Sequence, residues 1–184
     1  MMSRVRNDLF DAGIGYERGR SVLVFAAWQG VKWVFYKTVF PWPSGVKVSL
    51  LRLFGAKVGK GVCIKPQVNI HLPWKLTVGD HAWIGEEAFI LNFEPVEIGA
   101  NACISQRAFL CGGNHDYRDV AMKYRNGPIT IGAGAWVGAQ VFVGPGVTIG
   151  VDAVVTAGSI VTKDLPAGMV CSGNPCVPLK ARWS

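Results

Sequence analysis

The side chain in this sequence best suited to proton transfer is His115, which stands in the run Gly112-Gly-Asn-His-Asp116. An imidazole titrates near neutral pH, so a positioned histidine can accept a proton from a hydroxyl and pass it on. Asp116 follows it and could orient the ring, although neighbouring side chains often point apart. The other two histidines, His71 and His81, fall in regularly repeated stretches, where we expect them to face solvent. The sequence therefore points to one loop as the site of acid–base chemistry.

Residues 129–164 repeat in sixes, and this regularity predicts the architecture that positions the loop. An aliphatic residue recurs at every sixth position and is followed by glycine or threonine. A period of six fits neither a helical face nor a long alternating strand, but it fits a solenoid of short strands joined by tight corners. The aliphatic positions, which we expect to point inward, are Ile131, Val137, Val143, Ile149, Val155 and Val161.

The same six-residue spacing extends back to Val58. Interruptions of this spacing mark the places where the chain leaves the solenoid. Extra residues appear near Pro73 and Pro95, and the segment 111–128 is too long for one corner. Grouped in threes, the inward positions predict about five triangular coils at the normal strand spacing. Because a solenoid core is structural, we expect function where a loop breaks the register, above all in 111–128.

Composition and charge narrow the range of partners. Of the 184 residues, 50% are apolar and 23 are glycine, which suits a β-solenoid with many corners. The formal charge of +7 comes from scattered lysines and arginines without a nucleic-acid-binding signature. A polyanionic small ligand or an anionic membrane surface fits this charge better than nucleic acid. The five cysteines form no C-x-x-C pair and follow no signal peptide, so we expect reduced thiols, a cytoplasmic protein and no metal site.

An apolar run at residues 22–40 precedes the repeats. Gln29, Lys32 and Lys37 interrupt it, which makes a membrane span costly. Two interpretations stay open: an interfacial helix in peripheral contact with the inner face of the cytoplasmic membrane, or a helix that caps the end of the solenoid. The expected domains are an N-terminal arm and helix (1–55), a β-helix with its loop (56–166, loop 111–128) and a C-terminal tail (167–184).

These motifs resemble those of the hexapeptide-repeat acyltransferases over most of the chain. Segments similar to the maltose and galactoside O-acetyltransferases are Pro128–Gly132, Ala135–Gly138, Gly144–Gly150, Val161–Asp164 and Gly173–Pro175. Segments similar to the colanic-acid-type exopolysaccharide O-acetyltransferases are Leu50–Ala56, Pro73–Thr77, Ile104–Gln106 and Leu110–Asp116. The resemblance implies an all-β, left-handed parallel β-helix, acetyl-CoA as cosubstrate, a homotrimer, and acetyl transfer to a sugar hydroxyl of an exopolysaccharide precursor. A lipid-linked acceptor would explain the apolar N-terminal segment.

The resemblance also assigns roles to residues. His115 matches the catalytic base of the family, with Asp116 beside it. The residues that match acceptor-binding positions are Glu86, Glu87 and Trp136, with a carboxylate at Glu87 in place of the family's asparagine. The residues that match the coenzyme channel are Gly138, Ala139, Ala157, Thr162 and Lys163, and either Lys180 or Arg182 in the tail could help Lys163 to neutralise the coenzyme phosphates.

Other functions on the same scaffold remain open. The alternative among enzymes is a sugar-nucleotide N-acyltransferase on the same scaffold. A β-helical carbonic anhydrase would need three zinc histidines, and no His-x4-His pair is present. A non-catalytic β-helical scaffold would not need the intact Gly-Asn-His-Asp loop.

Overall fold

The computed structural model describes residues 5–183. Within this range the helices are α1 (Val22–Phe35) and α2 (Ser44–Leu53), with short 3-10 turns at Asn7–Leu9 and Pro73–Lys75. The strands are β1 (Lys57–Val58), β2 (Cys63–Ile64), β3 (Asn69–Ile70), β4 (Leu76–Val78), β5 (Trp83–Ile84), β6 (Phe89–Leu91), β7 (Val96–Ile98), β8 (Cys103–Ile104), β9 (Phe109–Cys111), β10 (Ile129–Ile131), β11 (Trp136–Val137), β12 (Phe142–Val143), β13 (Thr148–Ile149), β14 (Val154–Val155), β15 (Ile160–Val161), β16 (Met169–Gly173) and β17 (Cys176–Ala181).

The strands form the three faces of a prism. Face 1 has the order β1-β4-β7-β10-β13, face 2 has β2-β5-β8-β11-β14-β16-β17, and face 3 has β3-β6-β9-β12-β15. Neighbouring strands are parallel except for the antiparallel pair β16–β17. The left-handed parallel β-helix expected from the resemblance is confirmed, with a coil count nearer six than five. The sixth coil is partial, because Leu165 bridges Ile149 and β16 extends face 2 from the tail.

Inward aliphatic side chains form the core. The same inward position is filled in every coil, so successive coils stack one aliphatic side chain on the next and exclude water. On face 2 this buried column consists of Ile64, Ile84, Ile104, Val137 and Val155. The expectation that the sixth positions point inward is thereby confirmed.

The outward positions differ sharply from face to face. Those of face 1 are polar or charged: Lys57, Thr77, Glu97, Thr130 and Thr148. Those of face 2 are Cys63, Trp83, Cys103, Trp136 and Val154. Those of face 3 are Asn69, Phe89, Phe109, Phe142 and Ile160. Two faces of the prism therefore present mainly apolar side chains outward, and one presents polar side chains to solvent.

Helix α2 covers the open end of the first coil. Lys47 is fully buried, and its ammonium donates to the carbonyls of Ile64 and Lys65, 3.1 and 3.0 Å away, at the edge of face 2. Arg52 donates to the carbonyl of Val58, 3.0 Å away, at the edge of face 1. Unpaired strand edges are templates for wrong pairing, so these side chains satisfy groups that would otherwise be exposed.

Helix α1 closes the remaining edge. Its N-cap Ser21 accepts from Val24 N, and Trp28 Nε1 donates to the carbonyl of Ile70, 3.1 Å away, in the first strand of face 3. Lys32, which an interfacial helix would hold near the surface, is only 7% exposed because this face of α1 packs on the solenoid. The helices thus make the contacts of a cap. No helix within residues 5–183 is long and apolar enough to cross a membrane.

Candidate active site

The segment 111–128 leaves the prism after the third strand of the third coil and folds into a hairpin. His115 pairs with Tyr124 as an antiparallel bridge, and Asp116 N donates to Lys123 O, 2.8 Å away. Antiparallel pairing fixes the backbone on both sides of the histidine, so a segment that looks irregular in sequence holds its side chains in defined positions.

Contacts within the hairpin fix the His115 ring. Nδ1 lies 2.5 Å from the carbonyl oxygen of Met122. A carbonyl can only accept, so Nδ1 carries the hydrogen and Nε2 keeps its lone pair available to a substrate hydroxyl. The backbone of Met122 has a φ of +51°, which is unusual for a residue other than glycine. Tyr124 stacks on the imidazole with ring centroids 4.9 Å apart. Sequence reasoning missed both Met122 and Tyr124, because their contacts with the ring depend on how the two sides of the hairpin pair.

Asp116 contributes to the turn of the hairpin. Its carboxylate accepts from Arg118 N at 3.0 Å, and the Asp119 carboxylate likewise accepts from Ala121 N at 2.8 Å. Such bonds between a side chain and the main chain two residues later stabilise tight turns. The expected contact with the ring is made here by the Met122 carbonyl, and the role of Asp116 in orienting His115 stays a prediction.

A cavity of about 410 Å³ lies at the base of the hairpin, at the corner between faces 3 and 1. Its lining includes Asn114, Asn126, Phe142 and Thr162. Thr162, predicted for the coenzyme channel, is thereby brought next to the histidine loop, and the exposed Lys163 follows it in the same corner.

A second groove, of about 380 Å³, runs where face 2 turns into face 3. Trp136 is 49% exposed, and its Nε1 donates to Ser105 Oγ at 2.9 Å. Gly138, Ala139 and Ala157 line the same groove. A side chain at Gly138 would place its Cβ 2.6 Å from the carbonyl of the next coil, so this glycine is required for stacking as well as for an open groove. Small residues leave room for a thin, amide-bearing ligand arm.

The groove adjoins a wider cavity of about 620 Å³ toward the first coils. Glu86 lines this cavity, as does Trp83, with the Lys65 ammonium 5.0 Å above its ring. Glu87 forms an ion pair with Arg107 at 2.8 Å, and the guanidinium lowers the pKa of its carboxyl group. The two glutamates predicted for acceptor binding therefore have different surroundings, and Glu86 is the one that lines a cavity.

The predicted tail cations lie elsewhere. Arg182 donates to the carbonyls of Gly134 and Asp152, 2.8 and 3.1 Å away, at the corner between faces 1 and 2. Lys180 is exposed on the outermost strand, β17. The structure does not bring either residue to the groove or to the hairpin of the same chain.

His71 departs from expectation, because it is half-buried rather than exposed. Its ring packs against Phe25 of α1 and Phe93, with centroids 5.8 and 5.1 Å away, and its Nε2 lies 3.4 Å from the hydroxyl of Tyr16. Burial, with a smaller effect from the charge of Lys32, lowers the pKa of His71 to about 4. The N-terminal chain folds over this corner, which the repeat pattern does not reveal. His81 is exposed, as expected, and residues 5–183 contain no group of three or more His, Cys, Asp or Glu that could hold a metal.

A parallel β-helix of six-residue repeats, with a fixed histidine on a hairpin that leaves the third coil, defines a hexapeptide-repeat acyltransferase. Residues 128–163 match the family model described as the hexapeptide repeat of succinyl-transferase.

Similar proteins show which group of hexapeptide-repeat acyltransferases the chain belongs to. The chain is 44% identical to the putative colanic acid biosynthesis acetyltransferase WcaF of Escherichia coli K12, with 90% of this chain and 91% of WcaF covered. It is 34% identical to the galactoside O-acetyltransferase of the same organism, with coverages of 79% and 74%. The structure of a galactoside acetyltransferase in complex with coenzyme A superposes with a TM-score of 0.78 at 28% identity, covering 87% of this chain and 81% of that one. The chain belongs to the acetyl-CoA-dependent O-acetyltransferases of the hexapeptide-repeat family, and it is an enzyme.

Proposed function

We propose that the enzyme transfers the acetyl group of acetyl-CoA to a sugar hydroxyl of an exopolysaccharide precursor. The hydrogen bond from His115 Nδ1 to the Met122 carbonyl carries the chemical part of this proposal, because it leaves Nε2 free as a base. The hydroxyl proton passes to Nε2 as the oxygen attacks the thioester carbonyl, and the coenzyme leaves as the thiol. The similarity to WcaF supports the class of acceptor.

Mass spectrometry of cell-surface polysaccharide, with and without the active enzyme, tests the acceptor class. We expect one acetyl group per modified sugar to disappear in cells that express only His115→Ala. An unchanged polysaccharide, together with acetyl-CoA turnover by the purified enzyme, would rule out this acceptor while leaving the chemistry in place.

We propose that the active site is shared between neighbours in a homotrimer. The base and Thr162 lie at the corner between faces 3 and 1, whereas Trp136 and Ala157 lie around the corner between faces 2 and 3. The outward residues of faces 2 and 3 are mainly apolar, and an exposed surface of this kind favours burial against a partner. Threefold packing of face 2 on face 3 of the next chain would bury both faces and bring one chain's histidine to its neighbour's groove.

The coenzyme would lie along this groove. Gly138, Ala139 and Ala157 leave space for the pantetheine arm. Lys163 lies at the other corner, beside the hairpin, so it would reach the coenzyme phosphates from the neighbouring chain. Lys180 and Arg182 remain candidates for a neighbour's coenzyme. Glu86, Glu87 and Trp136 are proposed to contact the sugar, with Trp136 offering a flat apolar wall.

We also propose that the enzyme works at the inner face of the cytoplasmic membrane, on a lipid-linked acceptor. The side of α1 that faces away from the solenoid exposes Leu23 by 82% and Trp33 by 63%, and the chain after α1 exposes Val39 by 76% and Phe40 by 56%. The Lys37 ammonium lies 4.8 Å from the centre of the Trp33 ring. An apolar patch bordered by a cation suits the interface of an anionic bilayer.

Co-sedimentation with phosphatidylglycerol vesicles tests the membrane contact. We expect the double variant Leu23→Ser, Trp33→Ser to lose binding while its activity on a water-soluble sugar is unchanged. The matched control is Leu179→Ser, which removes a similarly exposed apolar side chain from β17. Equal sedimentation of the double variant and the parent would contradict this proposal.

A further inference from the structure

The N-terminal arm, residues 5–20, lies against the catalytic hairpin. Arg6 N donates to the carbonyl of Val120 at 2.8 Å, and the Asn126 side chain donates to the carbonyl of Gly15 at 3.4 Å. The arm thus contacts the hairpin near its tip and near its base. Two bonds at separate points align a segment that has little regular structure of its own.

Aromatic packing joins the arm to the hairpin between these bonds. The Phe10 ring meets the His115 imidazole edge-on, with centroids 5.1 Å apart and planes at 69°. It also meets Tyr124 at 5.2 Å, and Tyr16 packs on Tyr124 at 5.9 Å. The two contacts of Phe10 are edge-to-face, a geometry that aromatic pairs prefer and that stabilises more than area burial alone.

The imidazole is therefore held on three sides. The Met122 carbonyl binds Nδ1, Tyr124 stacks on one face of the ring, and Phe10 packs against it edge-on. Met122 and Tyr124 belong to the hairpin itself. Phe10 reaches the ring from a segment about a hundred residues away in sequence, so its contact exists only when the arm is docked.

We propose that Phe10 is a positioning residue for His115 and that the docked arm keeps the catalytic imidazole aligned. This inference rests on the proposed role of His115 as the base. A base that tilts away from the reacting hydroxyl accepts its proton more slowly. A misplacement of about 1 Å can lower the rate about 10²-fold. Phe10 acts by limiting the motion of the ring, without contacting the transferred acetyl group.

A different role for Phe10 would be direct contact with the acceptor. Asn7, Phe10, His115 and Met122 line a cavity of about 240 Å³ beside the imidazole. A side chain that binds the acceptor raises its KM when removed, whereas a positioning side chain lowers kcat with little change in KM. Measuring kcat and the acceptor KM separately therefore distinguishes the two roles.

Steady-state kinetics of Phe10→Ala in the full chain test the proposal. We expect kcat to fall about 10- to 100-fold, with KM for acetyl-CoA and for the sugar each within about twofold of the parent. Phe10→Tyr keeps the ring and should restore kcat to within about threefold. The matched control is Leu9→Ala, an adjacent residue that is 52% exposed, which should leave kcat unchanged.

A spectroscopic readout follows the ring itself. The NMR signals of the His115 ring protons should shift and broaden in Phe10→Ala and return in Phe10→Tyr, because a neighbouring aromatic ring perturbs them and restrains motion. A parent-like kcat in Phe10→Ala, or a raised acceptor KM with unchanged kcat, would overturn the positioning role. Activity in His115→Ala would instead overturn the proposed base, so the two failures are distinguishable.

Discussion

At the scale of single residues, the bond between His115 Nδ1 and the Met122 carbonyl decides which ring nitrogen is available to the substrate. The acceptor is a main-chain atom, so this orientation depends on the backbone of the hairpin rather than on the charge of a neighbouring side chain. Asp116 lies next to the base in sequence, but its carboxylate accepts from Arg118 N. Two substitutions distinguish these contributions.

We expect His115→Ala to lower kcat about 10²- to 10⁴-fold, because removal of a general base has this typical effect. Coenzyme binding and oligomeric state should be preserved in His115→Ala.

Asp116→Asn can still accept the hydrogen bond from Arg118 N. Its activity should stay within about fivefold of the parent if the Met122 carbonyl orients the ring. A loss in Asp116→Asn as large as in His115→Ala would mean that the carboxylate charge is needed.

A second residue-scale prediction concerns the coenzyme groove. Ala157→Trp adds bulk at an exposed wall of the groove and should raise KM for acetyl-CoA by about tenfold or more, with little effect on thermal stability. Gly138 is less suitable for this test, since any side chain there meets the main chain of the next coil. Ala133→Trp, at an exposed corner away from the groove, is the control. Similar KM values in the two variants would place the coenzyme elsewhere.

At the scale of elements, the two helices act as a cover for the first coil. A parallel β-helix leaves the edges of its first strands unpaired, and side chains of α1 and α2 donate to the free carbonyls there. Lys47 does so from a fully buried position, and burial lowers the pKa of its ammonium. The cost of burying this group is offset by hydrogen bonds to two carbonyls.

We expect Lys47→Met to lower the free energy of unfolding by about 1–3 kcal/mol, because the carbonyls of Ile64 and Lys65 lose their donor. Urea denaturation followed by circular dichroism measures this change. Ser49→Ala is the control within α2, since its hydroxyl bonds to Gly45 O on the exposed side of the helix. If Lys47→Met and the parent unfold at the same urea concentration, the cap does not depend on these bonds.

At the scale of the whole molecule, the three faces of the prism present different surfaces. The outward side chains of face 1 are polar, as expected of a surface that stays in contact with solvent. Face 2 carries two outward tryptophans, and face 3 carries a row of three phenylalanines in which Phe89 stacks on Phe109 at 4.8 Å. The two groups of proposed site residues lie at different corners of one chain, which is the reason for proposing that a threefold assembly completes the site.

Mixed oligomers test the shared site. At an acetyl-CoA concentration well below KM, His115→Ala and Ala157→Trp should each form homotrimers with little activity. When the two variants are co-expressed in equal amounts, about one quarter of the interfaces should join an intact histidine to an intact groove and regain activity. If the base and the groove of one chain served the same substrate, mixing the two variants would restore no activity.

The oligomeric state in solution tests which face lies in the interface. Thr130→Asp on face 1 should leave assembly unchanged, whereas Phe109→Asp on face 3 should disrupt it.

The sequence by itself determined the β-solenoid, and it predicted 111–128 as the functional loop and His115 as the candidate base. Repeats of six make each strand and corner a local pattern, and stacking of identical units follows from it with little further information. The tertiary structure decided what depends on contacts between distant segments. These include the carbonyl next to His115 Nδ1, the Phe10 contact, the burial of Lys32 against the solenoid, the partial burial of His71 beneath the N-terminal chain, and the separation of the proposed site residues between two corners. Such contacts join residues that no local pattern relates, so only the folded chain reveals them.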